Sequence, residues 1–503
     1  SLAEKKDDDL KAFFLAAKFP DDLRLKIRSF INRSRFPLAV RSSSLLEDAQ
    51  FQPFAGIYKT YMLPNNDHDP AVRLEQLIAA IKLVYASTFL ETPRAYANNT
   101  HHRIEEEKMA VIIQRLTGDH YGNYFFPAIS GVAQSYNFYP IAHMKPDDGI
   151  AHIALGLGRT VVEGGSALRF APPYPKFLPQ FSLVDDILKN AQRYFWVLKT
   201  DHFPKNFGFT GTKDDADTLH RLDIDTIEKN PVFKPHRQLF STYIAQDHRI
   251  RDTNQIEGQR ILTFANILKY KTIDLAGIIS TILEIGQKGL GSPVEIEFAL
   301  HLPPGKDRKP IFALLQIRPM AVAHETVDVA VTADDRKKAF CYSNLALGHG
   351  KFNDLSDIVY VKPETFDPAR TIEIADEIGT INKKLDQAGR KYLLVGPGRW
   401  GSADRFLGIP VSWQAISQVG AIVEASIDKL RTDPSQGSHF FHNITSLGIS
   451  YLNVGNDKES FMDWAWLNTQ KAANETKFVR HLHLQKAVTI KVDGKTAKAV
   501  LLK

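Results

Sequence analysis

VRSSSLLEDAQFQPFAGIYKT, residues 40–60, is the stretch on which the fold of this chain turns. It gathers a guanidinium (Arg41), hydroxyls (Ser42, Ser43, Ser44, Thr60), carboxylates (Glu47, Asp48) and the first glycine of the chain, Gly56, into one short run. Hydroxyls, backbone N–H groups and Arg forks all donate hydrogen bonds to phosphate oxygens, so such a loop can wrap a polyanion. The same residues also suit a solvated loop of serine turns with an Arg–Glu surface pair. Taken alone, the stretch leaves both readings open.

Working outward, residues 10–35 carry Phe13, Phe14, Ala17, Leu23, Leu25, Ile27 and Ile31 at helical spacing around Pro20. The apolar run before Arg41 predicts a short strand, with the polar residues after it as loop. Asp69-Pro70 supplies an N-cap and an N1 proline for a helix bearing Leu74, Leu77, Ile78, Ile81 and Val84, expected to end near Pro93. From Met109 the period changes to two, and MAVIIQRL, SGVAQSY and AHIALGLG are expected as neighbouring strands. Residues 184–290 are expected to be mostly helical, with breaks at Pro204, Gly208, Pro231 and Pro235. VEIEFAL and IFALLQI, joined by PPGKDRKP at 303–310, predict a hairpin. After Pro319 a mixed segment marks a domain boundary, which divides the chain into 1–325 and 326–503. Residues 355–454 alternate strand and helix, an α/β pattern. Asp493-Gly494 predicts a closing hairpin.

In the 294–300 strand, Ile296, Phe298 and Leu300 point to one face and Glu295, Glu297 and Ala299 to the other. Gln316 and Arg318 share a face of the second strand. A register that opposes the two polar faces brings Glu297, Gln316 and Arg318 together. A carboxylate and an amide oxygen can hold Mg²⁺, while Arg318 neutralises phosphates. The alternative is a Glu–Arg salt bridge on an edge hairpin.

These motifs resemble, in order, those of the nucleotide-binding domain shared by phosphoenolpyruvate synthase, pyruvate phosphate dikinase and rifampicin phosphotransferase. VRSSSLLEDAQFQPFAGIYKT is similar to the family's VRSSA–ED–FAG–T signature. MAVIIQRL is similar to its MAVVVQ strand, SGVAQSY to SGVAFT, LGLGRTVVEGG to GLGE–VV–G, and VEIEFAL with LLQIRPM to DIEW and LQ–RP. The resemblance covers about residues 36–320. It implies an ATP-grasp-like, two-lobed nucleotide-binding domain of α+β class, followed here by a smaller α/β domain. By position, it implies that Arg41 and Arg318 are catalytic and contact the phosphates, and that Gly56 and Thr60 form the phosphate-covering loop. Gln114 would lie along the nucleotide, with Glu297 and Gln316 holding Mg²⁺. The implied cofactors are ATP and Mg²⁺, and the implied activity is phosphotransfer to an unidentified acceptor.

Two departures qualify that picture. The family's glycine-lysine loop lies upstream of its VRSS motif, yet the 40 residues before Arg41 contain no glycine and the chain does not open on Met. A truncated N-terminal lobe is the expectation. The family's Thr-Ser-His phosphoacceptor motif is also not found. The nearest string is GSHFFHNITS, whose His439 reads either as an acceptor or as a pocket histidine, and whose His439–His442 pair lacks an evident third metal ligand. An ATP-sensing regulatory module without turnover is therefore the alternative to the enzyme. In the C-terminal part, Gly396–Ser402 (GPGRWGS) follows a strand where α/β sheets bind anions. With Arg405, Glu424, His439, His442 and Asn443 it could form a second pocket, or it could be a tight turn with Trp400 in the core.

Composition agrees with this frame. The chain has 503 residues, 44% hydrophobic and 24% charged, enough for a large core without staples. Its one cysteine, Cys341, excludes an intrachain disulfide and a multi-cysteine zinc site, and favours the reducing cytoplasm. Basic residues exceed acidic ones by a formal +6 only, and the two signs interleave, so no nucleic-acid partner is expected. No apolar run approaches membrane-spanning length, and SLAEKKDDDL has no signal-peptide core.

Overall fold

A computed structural model describes residues 5–45, 47, 56–98, 107–140, 143–201, 218–303, 308–320, 329–402, 404, 406–430, 434–435, 438–447, 449–455, 459–494 and 496–503. Asp48, Phe54, Ala55, Arg405, the 304–307 hairpin tip, the boundary at 321–328 and the His442 side chain lie outside the described residues.

The first lobe is a three-stranded antiparallel sheet, with Leu38–Ser44 between Tyr61–Leu63 and Met109–Arg115. Helices Asp7–Ala16, Asp21–Arg33 and Pro70–Ser87 pack with it around a common core. The Asp69 side chain accepts from the Ala71 N–H at 2.8 Å, the cap expected from Asp69-Pro70. That helix ends at Ser87, and Pro93 sits instead in the first turn of a separate helix, Glu91–Asn98, where its missing N–H costs no ladder bond. The central strand runs on through Arg41 to Ser44 where a loop was expected. Pairing with Met109–Arg115 continues residue by residue to Ser44, so the ladder carries the polar residues.

The second lobe is a five-stranded antiparallel sheet in the order Ile311–Pro319, Val294–His301, Ile129–Gln134, Ile150–Ala154, Leu168–Phe170. Of the three strands expected as neighbours, only the last two pair; Met109–Arg115 belongs to the first lobe. A short hairpin, Asp119–Tyr121 with Tyr124–Phe126, carries the chain across. The mostly helical expectation for 184–290 fails. Helices Val184–Asn190 and Leu275–Leu290 form, but strands Tyr194–Lys199, Leu219–Asp223, Phe240–Ile244, Arg249–Arg251 and Gln259–Leu262 lie between them. YFWVLK at 194–199 is aromatic and β-branched, a composition that fits a pleated surface.

The C-terminal sheet has ten strands. Gly350–Val361, Tyr392–Pro397, Val419–Ala425 and Ser450–Val454 form its parallel part, and helix Thr371–Gln387 buries Ile374, Ile378, Ile381 and Leu385. The hairpin expected at Asp493-Gly494 joins Val479–Asp493 to Lys498–Leu502. One apolar cluster crosses between the two parts of the chain. Ile57, Tyr58, Tyr96, Ala97 and Tyr139 share a core with Trp413, Phe440, Phe441 and Tyr451. Among the described residues no helix is long and apolar enough to cross a membrane.

Candidate functional site

The two lobes meet along the hairpin. Its register sets Glu297 opposite Gln316 and Glu295 opposite Arg318, with a bulge just beyond Glu297. Glu297 and Gln316 therefore face the first lobe together, and Arg41 reaches them from its own strand. One Arg41 nitrogen, Nη2, donates to Glu297 Oε2 at 3.1 Å and to Gln316 Oε1 at 2.6 Å. Two hard oxygens thus converge on a single cationic group, the donor type that Mg²⁺ and Ca²⁺ take.

Above this triad opens a cleft of about 360 Å³ lined by Arg41, Ser42, Ser43, Ile112, Gln114, Leu314, Leu315, Gln316 and Ile317. Ile112 and Leu314 are exposed beside the cleft and offer apolar surface to a planar ring, whereas the Ile317 side chain reaches the other way, to Gly286 of helix Leu275–Leu290. Gln114 Nε2 approaches the Leu315 carbonyl at 3.5 Å, linking the lobes at the back of the cleft.

Arg318 lies deeper than the sequence suggests. It is 3% exposed and forks onto Glu295 Oε1, Nε at 2.9 Å and Nη2 closer still. Burial alone would lower its pKa, but the carboxylates of Glu295 and Glu297 overcome that and raise it. Glu295 also accepts from Gln134 Nε2 at 2.6 Å. Thr60 is exposed at the end of its loop, outside these contacts. Gly56, at φ +64°, lies against the C-terminal part: a Cβ added there would come within 2.1 Å of His439 Nδ1.

His439 is the residue whose place the sequence did not reveal. It opens helix His439–Ser446, and its Nε2 lies 3.4 Å from Glu297 Oε1. Phe440 stacks on Trp413 and Phe441 packs edge-on to Tyr451, so the helix is held on both sides of the imidazole's base. Burial would raise the Glu297 pKa, yet the His439 hydrogen bond and the Arg41 charge bring it down to about 2. In metal-free buffer, stability from this carboxylate is complete above about pH 4.5 and is lost as pH falls toward 2, because the unfolded chain takes the proton first. Relative to Glu297→Gln, the native protein should lose about 3 kcal/mol more across that window in urea unfolding. Parallel curves would contradict this.

Glu295 and Gln134 were not singled out as site residues, and His439 reads only as an acceptor, a pocket histidine or part of a second pocket or histidine pair, not as a neighbour of Glu297. Glu295 was legible from the alternation that selected Glu297, since it shares that face. Gln134 stood within a quoted strand motif, but nothing local marks its partner. His439 was marked by the GSHFFHNITS string, but nothing local named Glu297 as its neighbour, 142 residues away.

The GPGRWGS turn takes the structural form. Trp400 is 1% exposed, its N–H bonds Glu424 Oε1 at 3.0 Å and its indole N–H bonds the Val423 carbonyl at 3.2 Å. Glu424 is further held by Ser435 and Tyr451. Arg399 reaches the Gly164 carbonyl at 3.3 Å beside a niche of about 10 Å³, room for one water. The described residues contain no group of three His, Cys, Asp or Glu side chains able to hold a metal, so a cation in the cleft would rely on the Gln316 amide oxygen as well.

Two comparisons with known proteins bear on the chain. The family described as pyruvate phosphate dikinase, AMP/ATP-binding domain, matches residues 2–339. The chain is also similar to the protein named Uncharacterized phosphotransferase YvkC of Bacillus subtilis (strain 168), 28% identical over 166 residues. That alignment spans 32% of this chain and 18% of the relative's length.

Proposed function

Because the chain belongs to the pyruvate phosphate dikinase AMP/ATP-binding domain family, we propose that it is an ATP- and Mg²⁺-dependent phosphotransferase whose nucleotide lies in the cleft between the lobes. The observation that carries this reading is the meeting of Arg41, Glu297 and Gln316 on one nitrogen-sized spot at the cleft floor. The base would sit beside Ile112 and Leu314, with Gln114 next to it. Glu297 and Gln316 would hold Mg²⁺, which supplies charge neutralisation on the phosphate oxygens. Arg41, freed to turn toward the phosphates, donates its fork to their oxygens. Arg318, paired with Glu295, would act behind the hairpin as a fixed ion-pair dipole that costs no reorganisation during reaction. Gly56 and Thr60 would cover the phosphates. We place the protein in the cytoplasm, where its single buried thiol, Cys341, stays reduced.

One observation favours a second reading, an ATP-sensing module. The chain just after Gly56 is buried in the C-terminal core through Ile57 and Tyr58, so closure over a nucleotide would be felt there. Labelled ATP separates the two: release of AMP or ADP with label on an acceptor supports the enzyme, and binding without turnover supports the sensor. Calorimetric titration of Mg-ATP into Glu297→Ala should show at least about tenfold weaker binding. Unchanged affinity there removes the assigned site under either reading.

A further inference from the structure

His152 is a buried polar side chain that the nucleotide reading leaves unused. It is 6% exposed, and its Nδ1 has no hydrogen-bond partner among the described residues. The sheet register sets it directly between Val132 and Arg169, two strands along from Glu297 and on the same face. With Arg169 from its own sheet, and with Arg399 and Pro434 from the C-terminal part, it lines the niche of about 10 Å³. Burial first, then the charges of Arg169 and Arg399, push the His152 pKa down to about 3, so a neutral ring faces two cationic groups. Glu295, the carboxylate that acts on the ring in the opposite sense, is engaged by Arg318 and Gln134. Acceptors at the niche wall are engaged as well. The Gly164 carbonyl takes Arg399 Nη1 at 3.3 Å and Ser402 Oγ at 3.1 Å, and Gln180 Oε1 takes the Arg169 backbone N–H at 2.8 Å. Val161 and Ala167 add an apolar surround, which strengthens charge interactions inside it.

We propose that this niche is an anion site that takes one chloride ion, held by Arg169, Arg399 and the His152 Nδ1–H where the second lobe meets the C-terminal part. The species follows from size and donor chemistry. A volume of about one probe sphere admits a water or a single-atom anion and excludes phosphates and carboxylates. Both arginines are half-buried and can ease outward around an ion slightly larger than water. Guanidinium groups donate and never accept, so an acceptor-only ion satisfies them more fully than water, which brings two protons of its own. The bound ion offsets the repulsion between the two guanidiniums. It also ties the second lobe to the turn that carries Arg399, and so raises resistance to unfolding.

Long-wavelength diffraction from crystals of the full chain grown in sodium chloride tests the site directly, since chloride scatters anomalously and water does not. An anomalous peak between Arg169 and Arg399 is expected, and a niche without one overturns the proposal. In solution, thermal unfolding is compared in sodium chloride and in sodium gluconate at equal ionic strength. Chloride should raise the wild-type midpoint by about 1–2 °C. The difference should vanish in Arg399→Met, and in His152→Phe, which puts an apolar ring at the niche wall. Each variant is compared with itself in two salts, so a general loss of stability does not enter the reading. A chloride effect that persists in either variant overturns the assignment. Equal midpoints in the wild type overturn it too, and a crystal peak without a solution effect would mark an adventitious ion only.

Discussion

Glu295→Ala is expected to destabilise the protein by about 3–5 kcal/mol, the range typical of removing one partner from a buried ion pair. The carboxylate is 3% exposed, and its loss strands the equally buried Arg318 guanidinium and the Gln134 amide that now bond to it. A desolvated positive charge that loses its hydrogen-bonded partner and keeps only the more distant Glu297 and Glu47 carboxylates costs more than the pair itself contributes. Urea unfolding followed by circular dichroism measures the loss. The decisive companion is Glu295→Leu with Arg318→Met, which removes both charges and refills the space. It should recover most of the stability while leaving the nucleotide site without Arg318. A single-variant loss below about 1 kcal/mol would mean that water reaches the pair and that its burial carries little.

Gly56→Ala should cost about 3 kcal/mol, from two sources. The residue is left-handed at φ +64°, which any side chain resists by about 1–2 kcal/mol, and the new Cβ would meet the His439 ring at 2.1 Å. The neighbour cannot slide aside cheaply, because the approach extends to His439 Cβ at 2.7 Å and Phe440, the next residue, is stacked on Trp413. Combining Gly56→Ala with His439→Gly separates the sources. The steric part should vanish in the double variant, and the backbone part should remain. Strict additivity of the two single effects would show that the glycine and the histidine do not touch in solution.

Much of the fold was legible because its determinants are local. Asp69-Pro70 capped a helix, Asp493-Gly494 turned a hairpin, and alternation in VEIEFAL and IFALLQI gave a two-strand platform whose register opposes Glu297 to Gln316. The helical expectation for 184–290 failed because proline and glycine breaks were read as interrupting helices, while the aromatic run at 194–199 found strand partners at 124–125 and 219–223. The site was legible along the hairpin and at Arg41, where family motifs and donor chemistry coincided. It was not legible where function depends on partners from afar. Arg318 was expected near phosphate, but its fork is spent on Glu295, a partner that only the register could name. His439 reaches Glu297 through a packing of aromatic rings that no spacing in the sequence encodes.

The apolar cluster shared by Ile57, Tyr58, Tyr96, Ala97 and Tyr139 with the C-terminal rings bears on how such a chain can be rearranged in evolution or in the laboratory. Each large apolar side chain that loses a buried environment forfeits about 1.5–3 kcal/mol. Shuffling the nucleotide-binding portion onto an unrelated neighbour would bare these side chains directly after Gly56. The two portions are thus poor candidates for exchange as separate cassettes, and substitutions on one side of this seam should be accepted only together with matching changes on the other.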